Sequence, residues 1–330
     1  MRHTIFAFLA LSAVLGLAAF ITLAPLWRGF DAWRQIWPMV AIFVVAATLF
    51  SLRNRHRWVP IALGVGCALV ALPAAPEVLR RLSLSAPGES GDDAIELTIV
   101  THNLWGLHTN PAGAVSTMDR LAPDILALQE ATRYALPTVD ALSARFPFQA
   151  RCRSVRVLSQ FPMLDSGCVR HPPEISFANA VPCDWELPPA VWARVELPDG
   201  REAVIVSVHL TWPFPSAAQS CQRRNLARAL GGMDHSTMIV MGDFNAAPPS
   251  RALARIEREL SLERRSIALP SWPSQGLTGP LPFAPMLVGI DHIFAGDAWQ
   301  SLSIGSGPDT GSDHRPLVAR MRLITQIDQS

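Results

Sequence analysis

Apolar residues are distributed along this chain in two different ways. Before residue 82 they run almost unbroken through Thr4–Trp27, Gln35–Leu52 and Trp58–Pro76. Each run approaches the ~20 residues a helix needs to cross a bilayer. Trp27, Trp33, Trp37 and Trp58 stand at their ends, where interfacial aromatics are expected. A signal peptide would account for the first run but not for two more close behind it. A soluble helical hairpin would show polar positions at helical spacing, and these runs have almost none. The pattern predicts three transmembrane helices within residues 1–82, followed by a linker over 83–94 rich in Ser, Pro, Gly and Asp.

Over 95–330 the apolar runs become short and are punctuated by turns. Period-two or continuous apolar character predicts strands at Glu96–Asn103, Asp124–Gln129, Val155–Ser159, Val191–Val195, Ala203–His209, Met238–Gly242, Ile290–Ala295 and Pro316–Met321. Helical spacing predicts helices at Pro111–Leu121, Ala217–Leu230 and Ser250–Leu260. Such a mixture fits one α/β domain with a large core. No internal repeat is present.

Charge sharpens this division. Only 17% of the 330 residues are charged, and mean hydropathy is +0.23. The chain has no lysine, and eight of its 28 arginines precede residue 82. The domain therefore carries 20 arginines against 25 acids, about five negative charges before histidines are counted. A nucleic-acid binder usually presents a basic surface, and in net terms this domain does not. Arginines cluster at Arg151, Arg153 and Arg156 and again at Arg223, Arg224 and Arg228; both clusters offer contacts to nucleic acid, against a solvated strand edge or helix face, which is the plainer reading for the second.

The dense loop Arg53–Arg57 favours the cytoplasm and would place the domain outside it, although arginines on the two sides number four and four. Cys152, Cys168, Cys183 and Cys221 all lie in the domain, and their spacings match no zinc pattern. In an exported domain they permit two disulfides by any of three connectivities. The expected location is a multi-pass cell-membrane protein with an extracytoplasmic, periplasmic domain.

Candidate chemistry sits where apolar runs end. LTIVTHNLWG delivers Asn103, DILALQE delivers Glu130, and VIVSVHLTWP delivers His209. MIVMGDFN delivers Asp243 and Asn245, VGIDHIF carries Asp291, and GSDHRP places Asp313 and His314 just before a strand. Each has a plain explanation alone. Asn103 would cap a turn, Glu130 would start a helix, His209 would be a satisfied core histidine, and Asp243 would form an Asx-turn. Asp291 would pair with His292, and Asp313 would cap Arg315. Those explanations do not account for all six falling at the polar ends of apolar runs, where sites are built on rigid sheets.

The ordered series HNLWG, LQE, VHL, GDFN, IDHIF and SDHRP resembles the endonuclease/exonuclease/phosphatase superfamily over about Leu97–Leu323, and VLSQFPM at 157–163 resembles the family's strand after the second motif. The resemblance implies a four-layered α/β sandwich of two packed mixed sheets flanked by helices. It implies a Mg²⁺-dependent enzyme, with Mn²⁺ as a possible substitute. Glu130 is similar to the family's main metal ligand, with Asn103 and Asp313 as further ligands. Asp243 looks like the group that orients and deprotonates the attacking water, with Asn245 holding phosphate or that water. His314 would donate to a phosphate oxygen, Asp291 would orient His314, and His209 would contact the phosphate or aid the leaving group.

The expected activity is membrane-anchored phosphodiester hydrolysis of nuclease type. The alternatives are a lipid or small-molecule phosphodiesterase or phosphatase, sphingomyelinase-like or inositol-phosphatase-like, or a non-catalytic binding module on the same fold. Expected partners are a phosphoester substrate and membrane lipid around the three helices, with no protein partner evident.

Overall fold

The computed structural model describes residues 12, 14–20, 23, 33, 37–51, 58–83, 95–107, 111–171, 182–214, 216–274 and 288–324. The chain divides into two compact units, Met1–Leu84 with Ala247–Leu253, and Ser85–Ala246 with Ala254–Ser330.

In the first unit, α1 (Trp37–Ser51) and α2 (Trp58–Ala71) pack together, and a 3-10 turn at Leu72–Ala74 leads into α3 (Ala75–Leu82). Small residues permit the approach: the Cα of Gly66 faces the side chain of Val44, and Thr48 Oγ1 lies 3.2 Å from Cys67 Sγ. Val44 and Leu63 are buried, while Ile42, Phe43, Leu49, Ile61 and Val65 point outward. Helices apolar all round suit a membrane or a larger core.

Length corrects the expectation of three spans. Among the described residues one helix, Leu63–Leu82, is long and apolar enough to cross a bilayer. It is shifted toward the C-terminus from the expected Trp58–Pro76 and includes Arg80 and Arg81. The run expected at Gln35–Leu52 yields a helix of 15 residues, which at ~1.5 Å per residue falls short of a ~30 Å hydrocarbon core. Most of Thr4–Trp27, the loop 53–57 and the linker residues 84–94 lie outside the described residues.

The second unit consists of two packed six-stranded mixed sheets flanked by helices. The first sheet runs β11-β12-β1-β2-β4-β3, from β1 (Ile95–Asn103), β2 (Ile125–Gln129), β3 (Phe148–Cys152), β4 (Val155–Ser159), β11 (Trp299–Ser306) and β12 (Leu317–Leu323). The second runs β5-β6-β7-β8-β10-β9, from β5 (Met163–Cys168), β6 (Ala190–Glu196), β7 (Glu202–His209), β8 (Ile239–Asp243), β9 (Glu263–Arg264) and β10 (Asp291–Ala295).

Each sheet has one parallel pair at its centre, and each pair is joined by a helix. Helix α4 (Pro111–Leu121) connects β1 to β2, and α6 (Ser216–Leu230) connects β7 to β8. Helix α5 (Leu136–Ser143) follows β2, and α7 (Arg251–Leu260) follows β8. Their parallel strands are buried on both faces and read as continuous Val, Ile, Leu and Met runs.

Between the sheets lies a core that includes Ile99, Ile125, Val157, Ile205, Ile239, Met241, Ile293 and Trp299. Burying each such side chain contributes about 1.5–3 kcal/mol. A second cluster of Val100, Leu126, Leu128, Met118, Val139 and Leu142 packs α4 and α5 on the first sheet's outer face. All eight predicted strands and all three predicted helices are present, within two residues at each end. Sequence reading missed β3, β5, β9, β11 and α5.

Candidate active site

Strand direction brings the chemistry to one end of the sandwich. Parallel β1 and β2 end together, with Asn103 opposite Gln129 and Glu130 next. Parallel β7 and β8 also end together, with His209 opposite Asp243. Antiparallel β10 begins at that same end, with Asp291 directly opposite Asp243. Antiparallel β12 starts opposite the end of β1, so the preceding turn carries Asp313 and His314 there too. All eight expected site residues therefore occupy one end.

Local backbone features fix the positions. Gly242 has φ of 150°, and a Cβ there would meet Val208 O at 1.9 Å, so only glycine allows β8 to lie this close to β7. Phe244, fully buried with its ring 4.8 Å from that of Phe294, anchors the chain between Asp243 and Asn245. Glu130 is not a helix start: its φ is 52°, a conformation costing a non-glycine residue ~1–3 kcal/mol. That turn is held by Gly106 N–H donating to Glu130 Oε2 at 2.6 Å. A Cβ on Gly106 would crowd the same carboxylate oxygen at 3.2 Å.

Asn103 links the two sheets' carboxylates. Its Nδ2 donates to Glu130 Oε1 at 3.1 Å and to Asp243 Oδ2 at 2.9 Å. Its Oδ1 accepts from Trp105 N–H at 2.9 Å. Asn245 N–H donates to Asp243 Oδ1 at 2.8 Å, and Asn245 Nδ2 reaches Leu210 O at 2.9 Å and His209 Nε2 at 3.4 Å. His209 Nε2 lies 3.5 Å from Asp243 Oδ2 and 3.9 Å from Glu130 Oε1.

The third group is the buried pair in which His314 Nδ1 meets Asp291 Oδ2 at 2.7 Å. That contact fixes the ring's orientation and turns Nε2 toward Asp243 and Asp313. It stands 3.9 Å from both Asp243 Oδ2 and Asp313 Oδ1.

Burial opposes charge on His314, but Asp291's charge and hydrogen bond, then Asp243 and Asp313, outweigh it and raise the imidazole to about 10. Burial likewise opposes charge on Asp291, and His314 outweighs it to hold this carboxyl below its usual range. For Asp243, burial and then the Asp291 charge prevail over His314 and His209, pushing it up to about 6. Burial also raises Asp313, against His314 and the Trp272 hydrogen bond.

This donor set fits a hard divalent cation. Glu130, His209 and Asp243 offer ligand atoms within 4.8 Å of one another, as do Asp243, Asp291 and His314. Asp313 Oδ1 is buried without a hydrogen-bond partner. Oxygen donors crowded this closely repel unless positive charge is shared among them.

Several supports were not legible in the sequence. Trp272 Nε1 donates to Asp313 Oδ2 at 3.3 Å, Ser271 Oγ accepts from Asp291 N–H at 3.2 Å, and Ser312 Oγ donates to Asn103 O at 2.7 Å. Ser312 at least belongs to the GSDHRP stretch, whereas Ser271 and Trp272 lie in a proline-rich segment with no periodic signal.

Comparison with known proteins agrees with this geometry. A family model described as Endonuclease/Exonuclease/phosphatase family matches residues 100–314. No curated protein matches the sequence. Among solved structures, a Bacteroides thetaiotaomicron endonuclease/exonuclease/phosphatase family protein is similar at 16% identity, covering 71% of this chain and 100% of that one, with a TM-score of 0.54. The human Nocturnin catalytic domain with bound sulfate anion is similar at 18% identity, over 69% of this chain and 96% of that one, TM-score 0.53. A Beutenbergia cavernae endonuclease/exonuclease/phosphatase is similar at 18% identity, over 69% and 72%, TM-score 0.51. At these identities the likeness shows the fold alone.

Proposed function

The chain belongs to the endonuclease/exonuclease/phosphatase family and is a phosphoester-hydrolysing enzyme; on that premise we propose that it is a membrane-anchored, Mg²⁺-dependent phosphodiesterase of nuclease type. The observation carrying this reading is Nε2 of His314, a buried donor set 3.9 Å from both Asp243 and Asp313 rather than spent on either.

Glu130 and Asp313 would hold the cation as carboxylate ligands. When bound, the cation neutralises charge on the phosphate oxygens and leaving group. Asn103, expected as a ligand, presents its amide nitrogen to both carboxylates, so its oxygen reaches a cation only after rotation of the amide. In the present orientation it positions Glu130 against Asp243.

Asp243 takes the proton of the attacking water. Its carboxyl, raised to about 6, lies near the neutral range that suits a general base. Asn245 supplies a fixed amide beside it. His314, kept charged by Asp291, donates through Nε2 to a phosphate oxygen whose charge grows in the transition state. His209, between Glu130 and Asp243, contacts the phosphate or the leaving oxygen.

Anchoring rests on the apolar composition of residues 1–82 and the Leu63–Leu82 helix. Two disulfides, Cys152–Cys168 and Cys183–Cys221, favour an extracytoplasmic domain over residues 95–330, because such bonds persist in oxidising compartments. Alkaline-phosphatase fusions after residue 90 should be active and fusions within 53–57 inactive; the reverse would place the domain in the cytoplasm.

A lipid phosphodiesterase is the second reading. Leu107, Tyr134, Trp212 and Phe214 are exposed on loops leaving β1, β2 and β7 at the site end, and an apolar rim suits a membrane surface. The test is hydrolysis of bis-p-nitrophenyl phosphate, plasmid DNA and phospholipid micelles with Mg²⁺ and with EDTA. Metal-dependent DNA cleavage supports the nuclease reading; cleavage confined to phospholipid replaces it.

A further inference from the structure

Arginines on the strands of the catalytic unit fall into two groups. Arg322 lies directly opposite Glu96 on the neighbouring strand and pairs with it at 2.7 Å, and Arg320 shares that carboxylate at 2.8 Å. Arg194 faces Glu202 at 3.6 Å. The β3–β4 hairpin reverses this rule. Arg151 stands directly opposite Arg156, a like-charge pair that destabilises a sheet. Among the described residues neither has a carboxylate partner, and neither does Arg153.

The hairpin turn adds a second oddity. Cys152 pairs with Val155, leaving Arg153 and Ser154 as the two turn residues, and Arg153 has φ of 50°. Turns of this kind favour asparagine or glycine at such positions. A guanidinium is thus retained where the backbone disfavours it. Burial and the Arg151 charge together push Arg156 below its ordinary value. Arg156 Nη1 donates to the carbonyls of Arg153 and Val155 at 2.8 and 2.9 Å, and Arg153 Nη1 to Leu187 O at 3.4 Å, so backbone carbonyls rather than acids meet these charges.

Position gives these costs a purpose. Antiparallel pairing sets Arg156 opposite Leu128 near the end of β2. Ser154 O accepts from Ala131 N–H at 2.8 Å, which pins the turn to the residue after Glu130. Cys152 is tied to Cys168, which lies opposite Val191 at the start of β6, so the disulfide joins the two sheets at this end. Three arginines without acids therefore sit on a braced hairpin at the end of the sandwich that carries Glu130, in a domain whose net charge is negative.

We propose that Arg151, Arg153 and Arg156 form a second anion subsite that holds a phosphate of a single-stranded oligonucleotide beyond the one being cleaved. This rests on the phosphodiesterase reading and deepens it. A substrate with one phosphate engages Glu130, Asp243 and His314 alone, whereas a chain of phosphodiesters continues onto the hairpin. Exposed Tyr134, on the loop after β2, gives the neighbouring base a face for stacking.

The experiment uses the full chain in neutral detergent. Fluorescein-labelled oligothymidylate is titrated in EDTA, which blocks cleavage, against wild type, Arg151→Glu, Arg153→Glu and Arg151→Lys. Each Glu variant should weaken binding about tenfold or more and lower the salt slope by ~0.7 per lost phosphate contact, while Arg151→Lys stays close to wild type. With Mg²⁺, the ratio of oligonucleotide to bis-p-nitrophenyl phosphate kcat/KM should fall at least tenfold. Equal losses on both substrates would overturn the proposal, as would oligonucleotide affinity unchanged in the Glu variants or undetectable in wild type. Phosphatidylglycerol mixed micelles that displace the label from wild type while the Glu variants lose only micelle binding would instead assign the hairpin to a lipid surface. A wild-type protein that binds oligonucleotide through these arginines yet cleaves no phosphodiester would leave the subsite standing and sink the functional reading.

Discussion

The site has an open pole and a sealed pole. At the open pole Glu130 and His209 keep 30% and 19% of their side chains exposed. At the sealed pole Asp243, Asp291 and His314 keep 2%, 1% and 5%. At the sealed pole burial and the neighbouring charges shift protonation strongly, because charges act on one another more as water is removed. The open pole keeps a carboxylate and an imidazole in contact with solvent. Protonation is set at the sealed one.

Substitutions at the sealed pole should therefore cost most. Asp243→Asn keeps the shape and the oxygen that accepts from Asn245 N–H, while it removes the base and puts a donor where Asn103 Nδ2 now donates, so turnover should fall about 10⁴-fold with substrate KM nearly unchanged. A loss below tenfold, measured by steady-state kinetics, would take Asp243 out of that role.

His314→Ala should lower turnover ~10³-fold by removing one donor to developing charge. Asp291→Asn acts through His314, so its loss should be smaller, and the basic limb of the pH–rate profile should move down. The double variant should be little worse than His314→Ala alone. Additive losses with an unmoved profile would show that Asp291 acts independently.

Glu130→Gln should behave differently, since an open ligand site is recoverable by mass action. At low Mg²⁺ the loss should approach ~10²-fold, and excess Mg²⁺ should restore part of it. Calorimetric titration should show the matching drop in Mg²⁺ affinity, and unchanged affinity would break the division between poles.

The smallest effect concerns stability against pH in EDTA. His314 is raised from 6.5 to about 10, so its stabilising contribution is complete below pH 6.5 and is lost as pH rises through about 10. Asp243, raised from 3.8 to about 6, contributes below 3.8 and loses that contribution as pH rises through about 6. Melting temperature should fall across both windows, and Asp291→Asn should flatten the upper one.

How much of this was legible follows from where the signals live. Asn103, Glu130, His209, Asp243, Asn245, Asp291, Asp313 and His314 stood out because a polar residue at the end of a long apolar strand breaks a regular pattern. Strand β11, WQSLSIGS, hid because it alternates weakly at a sheet edge. Helix α5 hid behind Pro137 and only eight residues of pattern. Trp272 reaches Asp313 from 41 positions away, and no local periodicity encodes such a contact. Disulfide connectivity depends on β3 and β5 standing side by side across two sheets, which spacing alone left open among three pairings. In the N-terminal unit, composition gave apolar helices but not their ends: the span from Leu63 runs through the 3-10 turn at Leu72–Ala74 to Leu82, past the expected stop.

The hydrogen bonds that assemble the site reach far along the chain. Asn103 meets a carboxylate 140 residues later, and its carbonyl is held by a serine 209 residues away. Contacts this distant form late, since closing such loops costs entropy before any contact rewards it. A growing polypeptide that already displays Asn103 and Glu130 should therefore assemble this site only once Ser312 and His314 have left the ribosome and docked. On the roles proposed for these residues, hydrolysis would then be a readout of finished folding.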